Sequence, residues 1–153
     1  PNLIVVRTFS KAYGLAGLRV GYGVTSKQIA EVLNRVRHPF NVNALALAAA
    51  EAALGDETFL AESIQQNLEG LKQLASGLEK IGLDWIPSVA NFICARVGRN
   101  AGQIYQAMLE RGVIVRPVAN YGLPEHLRIS IGLESENVRA LKVLSEALTL
   151  SEA

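Results

Sequence analysis

Apolar residues recur along this chain at two different periods, and the change of period marks out its elements. Residues 3–6 (LIVV) form a short run rich in β-branched side chains, which predicts a buried strand. A glycine-rich stretch follows as a loop, and RVGYGV at 19–24 predicts a second short strand. Ser26 is placed to cap a helix reaching about Arg35, with Ile29, Val32, Leu33 and Val36 at helical spacing. Pro39 breaks that pattern, and Asn43 can cap an alanine-rich helix that ends at Gly55. Asp56 opens the longest helix. Its Phe59, Leu60, Ile64, Leu68, Leu71, Leu74, Leu78 and Ile81 advance by steps of three or four, and Gly82 ends it. FICARV at 92–97 and GVIVRPV at 112–118 predict strands, with a helix from Ala101 between them. HLRISIG at 126–132 alternates as a half-buried strand does, and Ser135 is placed to cap a last helix whose Val138, Leu141, Leu144 and Leu148 face a core.

From about residue 84 the order is strand, helix, strand, strand, helix, which predicts an α/β or α+β module. The long helix from Asp56 separates this module from an N-terminal part with two strands and two helices, thin for a core of its own. A buried-type strand at residue 3 needs neighbouring strands that the first 55 residues hardly supply. The expectation is a chain that begins inside its first domain.

Composition narrows the classes. Half of the 153 residues are hydrophobic, ample for a packed core, and the net charge of +1 lacks the basic excess of nucleic-acid modules. The single cysteine, Cys94, cannot form an internal disulfide, which fits a reducing compartment. No apolar run approaches the roughly 18 residues that span a bilayer. These features predict a soluble cytoplasmic protein.

The chemistry concentrates in TFSKAYGLAGLRVGYG, residues 8–23. A lysine attacks a carbonyl when its amine is held neutral, and Schiff-base chemistry with a phosphorylated cofactor also needs an anion site nearby. Ser10 offers a hydroxyl, Arg19 a guanidinium, and Gly14, Gly17, Gly21 and Gly23 let backbone turn tightly or approach a ligand. An ordinary solvated lysine on a glycine-bearing surface loop remains the plain alternative. A P-loop is excluded because Lys11 precedes the glycines. GLAG at 14–17 has the Gly-x-x-Gly form of a KH clamp, yet Leu15 and Ala16 are apolar where such loops are basic.

TFSKAYGLAG, residues 8–17, resembles position by position the pyridoxal-phosphate lysine signature of the class II aminotransferases. Within that family, RTFSKAYGLAGLRVGY, HPFNVN, SVANFI, GVIVRPV and LPEHLRISIG, in this order, resemble the histidinol-phosphate aminotransferase branch. The resemblance implies the aspartate-aminotransferase-like fold of type I. Residues 1–55 would be the C-terminal end of the large cofactor-binding domain, and 56–153 the small α+β domain led by the long helix. It also implies pyridoxal 5′-phosphate bound covalently by Lys11, with Ser10, Arg19 and more weakly Thr8 on its phosphate. Arg128 would pair with the substrate α-carboxylate, Arg116 with the substrate's own phosphate, and Asn91 would line the substrate site. The implied reaction is reversible amino-group transfer between histidinol phosphate and 2-oxoglutarate, by a homodimer acting on small molecules. A related aromatic aminotransferase, a phosphothreonine decarboxylase and a non-catalytic interaction module are the alternatives.

Read without the resemblance, Arg128 and Arg116 could simply face water from strands, and Asn91 could be only the turn before one. His38 reads as a loop residue and His126 as a neighbour of Arg128; Cys94 reads as a small core residue. Family members also carry, upstream of the lysine, an aspartate for the pyridine nitrogen and an aromatic ring stacked on the cofactor. No aspartate precedes Asp56 here. The expectation is therefore a C-terminal portion of the enzyme that does not catalyse by itself.

Overall fold

The computed structural model describes residues 2–152, and the chain divides into two compact units between Ile64 and Gln65. In the first unit β1 (Ile4–Thr8) runs antiparallel to β2 (Gly21–Thr25), in register from Ile4 opposite Thr25 to Thr8 opposite Gly21. A Cβ at Gly21 would sit 2.6 Å from the Arg7 carbonyl oxygen, so only glycine lets the strands close here. The helix α1 (Lys27–Val36) starts where expected, with Ser26 Oγ accepting the Ile29 N–H, and α2 (Ala44–Gly55) starts with Asn43 Oδ1 accepting the Ala46 N–H. Ala46 and Ala50, one turn apart on α2, pack with Phe9 and Val20 into a small buried cluster.

The buried strand predicted at residues 3–6 is not buried. Leu3 and Val6 are each 70% exposed, because a two-stranded sheet leaves both faces open. The apolar stripe of α1 is likewise exposed at Val32, Leu33 and Val36.

The helix α3 (Glu57–Lys80) begins with Asp56 Oδ1 accepting the Phe59 N–H and ends at Gly82, whose φ of +74° suits glycine. Of its predicted apolar stripe Leu74 and Leu78 are fully buried, while Phe59, Ile64 and Leu68 are exposed.

The second unit is a four-stranded antiparallel sheet in the order β3 (Trp85–Ile86), β4 (Phe92–Arg96), β6 (Leu123–Ser130), β5 (Arg116–Val118). One face, with Ile93, Ala95, Leu127 and Ile129, packs on Leu74 and Leu78 of α3, Ile104 and Met108 of α4 (Ala101–Glu110), and Leu144 and Ala147 of α5 (Glu134–Glu152). A Cβ at Gly77 would collide with the Leu141 side chain, so this glycine lets α3 and α5 approach closely.

One strand is added here and three expectations are corrected. The edge pairing of Trp85 and Ile86 with β4 makes a short strand that two residues of local pattern do not announce. The strand expected over 112–118 is reduced to Arg116–Val118, because the Gly112 and Val113 N–H groups bond back to the Leu109 and Met108 carbonyls at the end of α4. Ser135 lies inside α5 and does not cap it: the turn before the helix is held by Gly132 N–H on Asn137 Oδ1 and Leu133 N–H on Glu136 Oε2. Of the residues expected to face the core from α5, Leu144 is fully buried and Leu141 and Leu148 pack on the core half-buried, but Val138 is 55% exposed, and Asn137, Ala140 and Ala147 are buried beside them.

Candidate active site

Residues 9–20 join β1 to β2 as a loop closed at its neck. Phe9 N–H donates to the Val20 carbonyl at 3.1 Å, and Leu15 N–H returns to the Phe9 carbonyl at 2.9 Å. A tight turn follows Lys11, where Gly14 N–H donates to the Lys11 carbonyl at 2.8 Å and Gly14 adopts φ +70°. The Phe9 ring is buried, 4.9 Å between centroids from Tyr13 and 6.0 Å from Tyr22. That anchor directs the next two residues outward: Ser10 is half-buried and Lys11 exposed.

The candidate phosphate ligands belong to the same loop. Ser10 N–H donates to Thr8 Oγ1 at 3.1 Å, which fixes the approach of the chain to Lys11. Arg19 ends the 3-10 turn Ala16–Leu18 in the left-handed region, φ +54°, and one of its guanidinium nitrogens donates to the Ala16 carbonyl at 2.8 Å. A left-handed arginine costs about 1–2 kcal/mol, and here it turns the guanidinium back onto its own loop. Gly17 has open space over its α-carbon, so room and not backbone strain distinguishes it. The loop and the last residue of β1 thus carry an amine, two hydroxyls and a guanidinium. That donor set fits a phosphorylated carbonyl compound: Lys11 for the carbonyl, Thr8, Ser10 and Arg19 for the dianion.

A second group of candidate residues lies on the face of the four-stranded sheet opposite its core. Partners across an antiparallel ladder share a face. Cys94 is opposite Arg128, Arg116 is opposite Arg128 on the other side, and Ile86 is opposite Cys94, so one row crosses all four strands. Arg128 is half-buried, with its guanidinium 5.1 Å from the centroid of the Phe92 ring, and Arg116 is exposed. The Nε of Arg128 and the Nδ1 of His126, two residues away on the same face, are buried without hydrogen-bond partners. Two arginines directly opposite repel each other, a like-charge arrangement that an anion lying over both would relieve. Arg128 is therefore neither a core residue nor a freely solvated one.

Cys94 points to this same face and is half-buried. Burial pushes its thiol above the ordinary cysteine range, and the positive charge of Arg128 offsets part of that rise. Asn91 sits in the bend before β4, exposed, with its carbonyl accepting the Ile131 N–H at 3.0 Å. His38 is an exposed loop residue. Phe92, absent from the sequence-derived set, becomes the platform for Arg128; this follows from strand pairing and has no local signature in the sequence. Among the described residues no group of three or more His, Cys, Asp or Glu could hold a metal ion, and no helix is long and apolar enough to cross a membrane.

The chain is 61% identical over 148 residues to a curated histidinol-phosphate aminotransferase of Pseudomonas fluorescens, which covers 97% of this chain and 40% of that protein. The chain thus spans about 40% of the length of the curated relatives it matches. Its structure superposes on the histidinol-phosphate aminotransferase of Sinorhizobium meliloti, crystallised with pyridoxal 5′-phosphate, with a TM-score of 0.90 and 32% identity, covering all of this chain and 42% of that one. The L-threonine-O-3-phosphate decarboxylase of Porphyromonas gingivalis matches with a TM-score of 0.83 and 30% identity, over 99% of this chain and 47% of that one. The fold is that of the aspartate-aminotransferase-like enzymes of type I. The family model of the class I and II aminotransferases matches residues 1–143, and the chain belongs to that family.

Proposed function

We propose that this chain carries the covalent cofactor anchor and the substrate-anion residues of a histidinol-phosphate aminotransferase. The enzyme would transfer an amino group reversibly between histidinol phosphate and 2-oxoglutarate in histidine biosynthesis. The observation that supports this reading is the neck-closed loop that carries Ser10, Lys11 and Arg19 together. Pyridoxal 5′-phosphate, when bound, supplies an electron sink that stabilises negative charge developing at the substrate α-carbon.

The chain's own residues do the rest. Lys11 is the covalent anchor, and its freed Nζ would carry a proton between the substrate α-carbon and C4′ of the cofactor. Ser10 and Arg19 hold the cofactor phosphate by charge-assisted hydrogen bonds, and Thr8, whose oxygen already accepts the Ser10 N–H, retains its hydroxyl proton to donate. On the sheet, the planar fork of Arg128 suits a carboxylate, and its unpartnered Nε leaves a donor for that anion. Arg116 directly opposite adds the second positive charge that a phosphate monoester requires and a plain amino acid does not. Asn91 lines the substrate site. The apolar residues left exposed on β1, β2 and α1 support an assembly larger than this chain, a homodimer with small-molecule substrates, and the free Cys94 supports a cytoplasmic setting.

The test uses an enzyme of the relatives' full length that contains this chain, incubated with pyridoxal phosphate and reduced with borohydride. A pyridoxyl adduct is expected on the Lys11 peptide, and its absence there removes the enzymatic reading. The match to a phosphothreonine decarboxylase favours one rival substrate, also a phosphate monoester. Product analysis separates the two, since loss of carbon dioxide from phosphothreonine without amino transfer to 2-oxoglutarate would replace the proposal. Arg116→Ala is expected to impair use of histidinol phosphate while sparing an aromatic amino acid.

A further inference from the structure

The end of the second unit's sheet that carries Asn91 is tied to α3 by side-chain amides. Asn67, half-buried on α3, donates through Nδ2 to the Ala90 carbonyl at 3.2 Å. The Ala90 N–H in turn donates to Ser88 Oγ at 3.1 Å. The next residue is Asn91, whose carbonyl accepts the Ile131 N–H at 3.0 Å. The bend is therefore held on both sides of Asn91, by α3 through the Ala90 carbonyl and by Ile131, just past β6, through the carbonyl of Asn91 itself. One turn along α3 from Asn67, a Cβ at Gly70 would collide with Ile131 Cγ2, so the helix passes close to this sheet end. Asn67 is half-buried while its α3 neighbours Ile64 and Leu68 are exposed, and its amide meets a backbone carbonyl 23 residues along the chain.

We propose that Asn67 is a positioning residue for substrate: by holding the Ala90 carbonyl it sets the direction in which the Asn91 side chain faces. The inference rests on the assignment of Asn91 to the substrate site made above. Asn67 acts only through Asn91, so its removal loosens substrate binding and leaves proton transfer at Lys11 intact. Losing one such hydrogen bond, net about 1 kcal/mol, corresponds to a roughly five-fold rise in KM with kcat little changed.

The experiment is a double-mutant cycle in an enzyme of the relatives' length, loaded with pyridoxal phosphate. It compares Asn67→Ala, Asn91→Ala and the double variant by steady-state kinetics with histidinol phosphate. Asn67→Ala is expected to raise KM in the wild-type background and to add nothing once Asn91 is alanine, a non-additivity that a loss of general stability does not produce. Additive effects, or an unchanged KM for Asn67→Ala while Asn91→Ala raises it, overturn the positioning role and leave the substrate assignment standing. An unchanged KM for Asn91→Ala overturns that assignment and the inference with it. Should Asn67→Ala fold poorly, Asn67→Asp keeps the shape, removes the donor and completes the same cycle. Hydrogen exchange at the Ile131 N–H reads the clamp directly: faster exchange is expected in the Asn67 variants, and unchanged exchange counts against it.

Discussion

The two candidate sites are held in place by different means. The Lys11 loop is braced locally, by backbone bonds between Phe9 and Val20, Phe9 and Leu15, and Lys11 and Gly14, all within twelve residues of chain. Its buried support is small: Phe9, Val20, Ala46 and Ala50. The arginine row depends instead on strand register, set by a sheet packed on three helices through Leu74, Ile104, Leu127, Leu144 and their neighbours. Two guanidiniums on neighbouring strands keep their spacing only as long as the packed sheet keeps its register. The first unit leaves apolar residues of β1 and α1 exposed, whereas the second closes its own core.

The comparison can be broken at several points, with effects of decreasing size. Lys11→Ala is expected to remove the adduct with pyridoxal phosphate and to lower kcat by about a thousandfold or more, since it deletes anchor and base together; residual turnover near the wild-type rate would detach the chemistry from this loop. Arg128→Lys keeps the charge and loses the fork, so KM for the carboxylate substrate should rise about ten-fold with a folded protein, read by kinetics and circular dichroism.

Stability should separate the units. Leu144→Ala in the closed core is expected to cost about 2–5 kcal/mol in urea unfolding, whereas Val32→Ala on the exposed face of α1 should cost less than about 0.5 kcal/mol. Equal losses would show that α1 is covered after all. Gly14→Ala places a Cβ at positive φ, 3.4 Å from the Phe59 ring, and should cost about 1 kcal/mol, concentrated in the Lys11 loop and visible as faster hydrogen exchange there.

The smallest effect is the pH dependence of the single thiol. Because burial raises the Cys94 pKa, the folded chain holds this proton to higher pH than the unfolded chain does. Its alkylation should therefore rise with pH at a midpoint above that of the denatured protein. The stability it contributes is present below the unfolded pKa and is lost as pH climbs through the folded one. A phosphate monoester seated on the arginine row should slow the alkylation, because Cys94 is the cross-strand partner of Arg128. Equal rates with and without the ester would place that anion elsewhere.

Local signals were legible wherever one residue does a local job. Ser26, Asn43 and Asp56 each accept an N–H three residues ahead, as their side chains do at most helix starts, and Gly82 ends α3 at positive φ. The start of α5 was misread because two side chains, Glu136 and Asn137, reach back to the turn before the helix, so the local serine beside them looked sufficient. The inward face of α5 was legible at Leu141, Leu144 and Leu148 and missed only in the first turn, where Asn137 is buried and Val138 is not. Asn137 is 2% exposed and fully bonded to Gly132 and Gln73, a buried polar residue that no hydrophobic pattern marks.

Chemistry-bearing residues followed the same division. Thr8, Ser10, Lys11 and Arg19 could be grouped as candidates from sequence alone, because Thr8 ends β1, the other three lie on the short connection after it, and its turns are set by neighbours in the chain. The pairing of Arg116 with Arg128, the ring of Phe92 beneath it and the thiol of Cys94 beside it were decided only by the tertiary structure. They come from three strands and meet through register, and register is chosen by which side chains bury together on the sheet's other face.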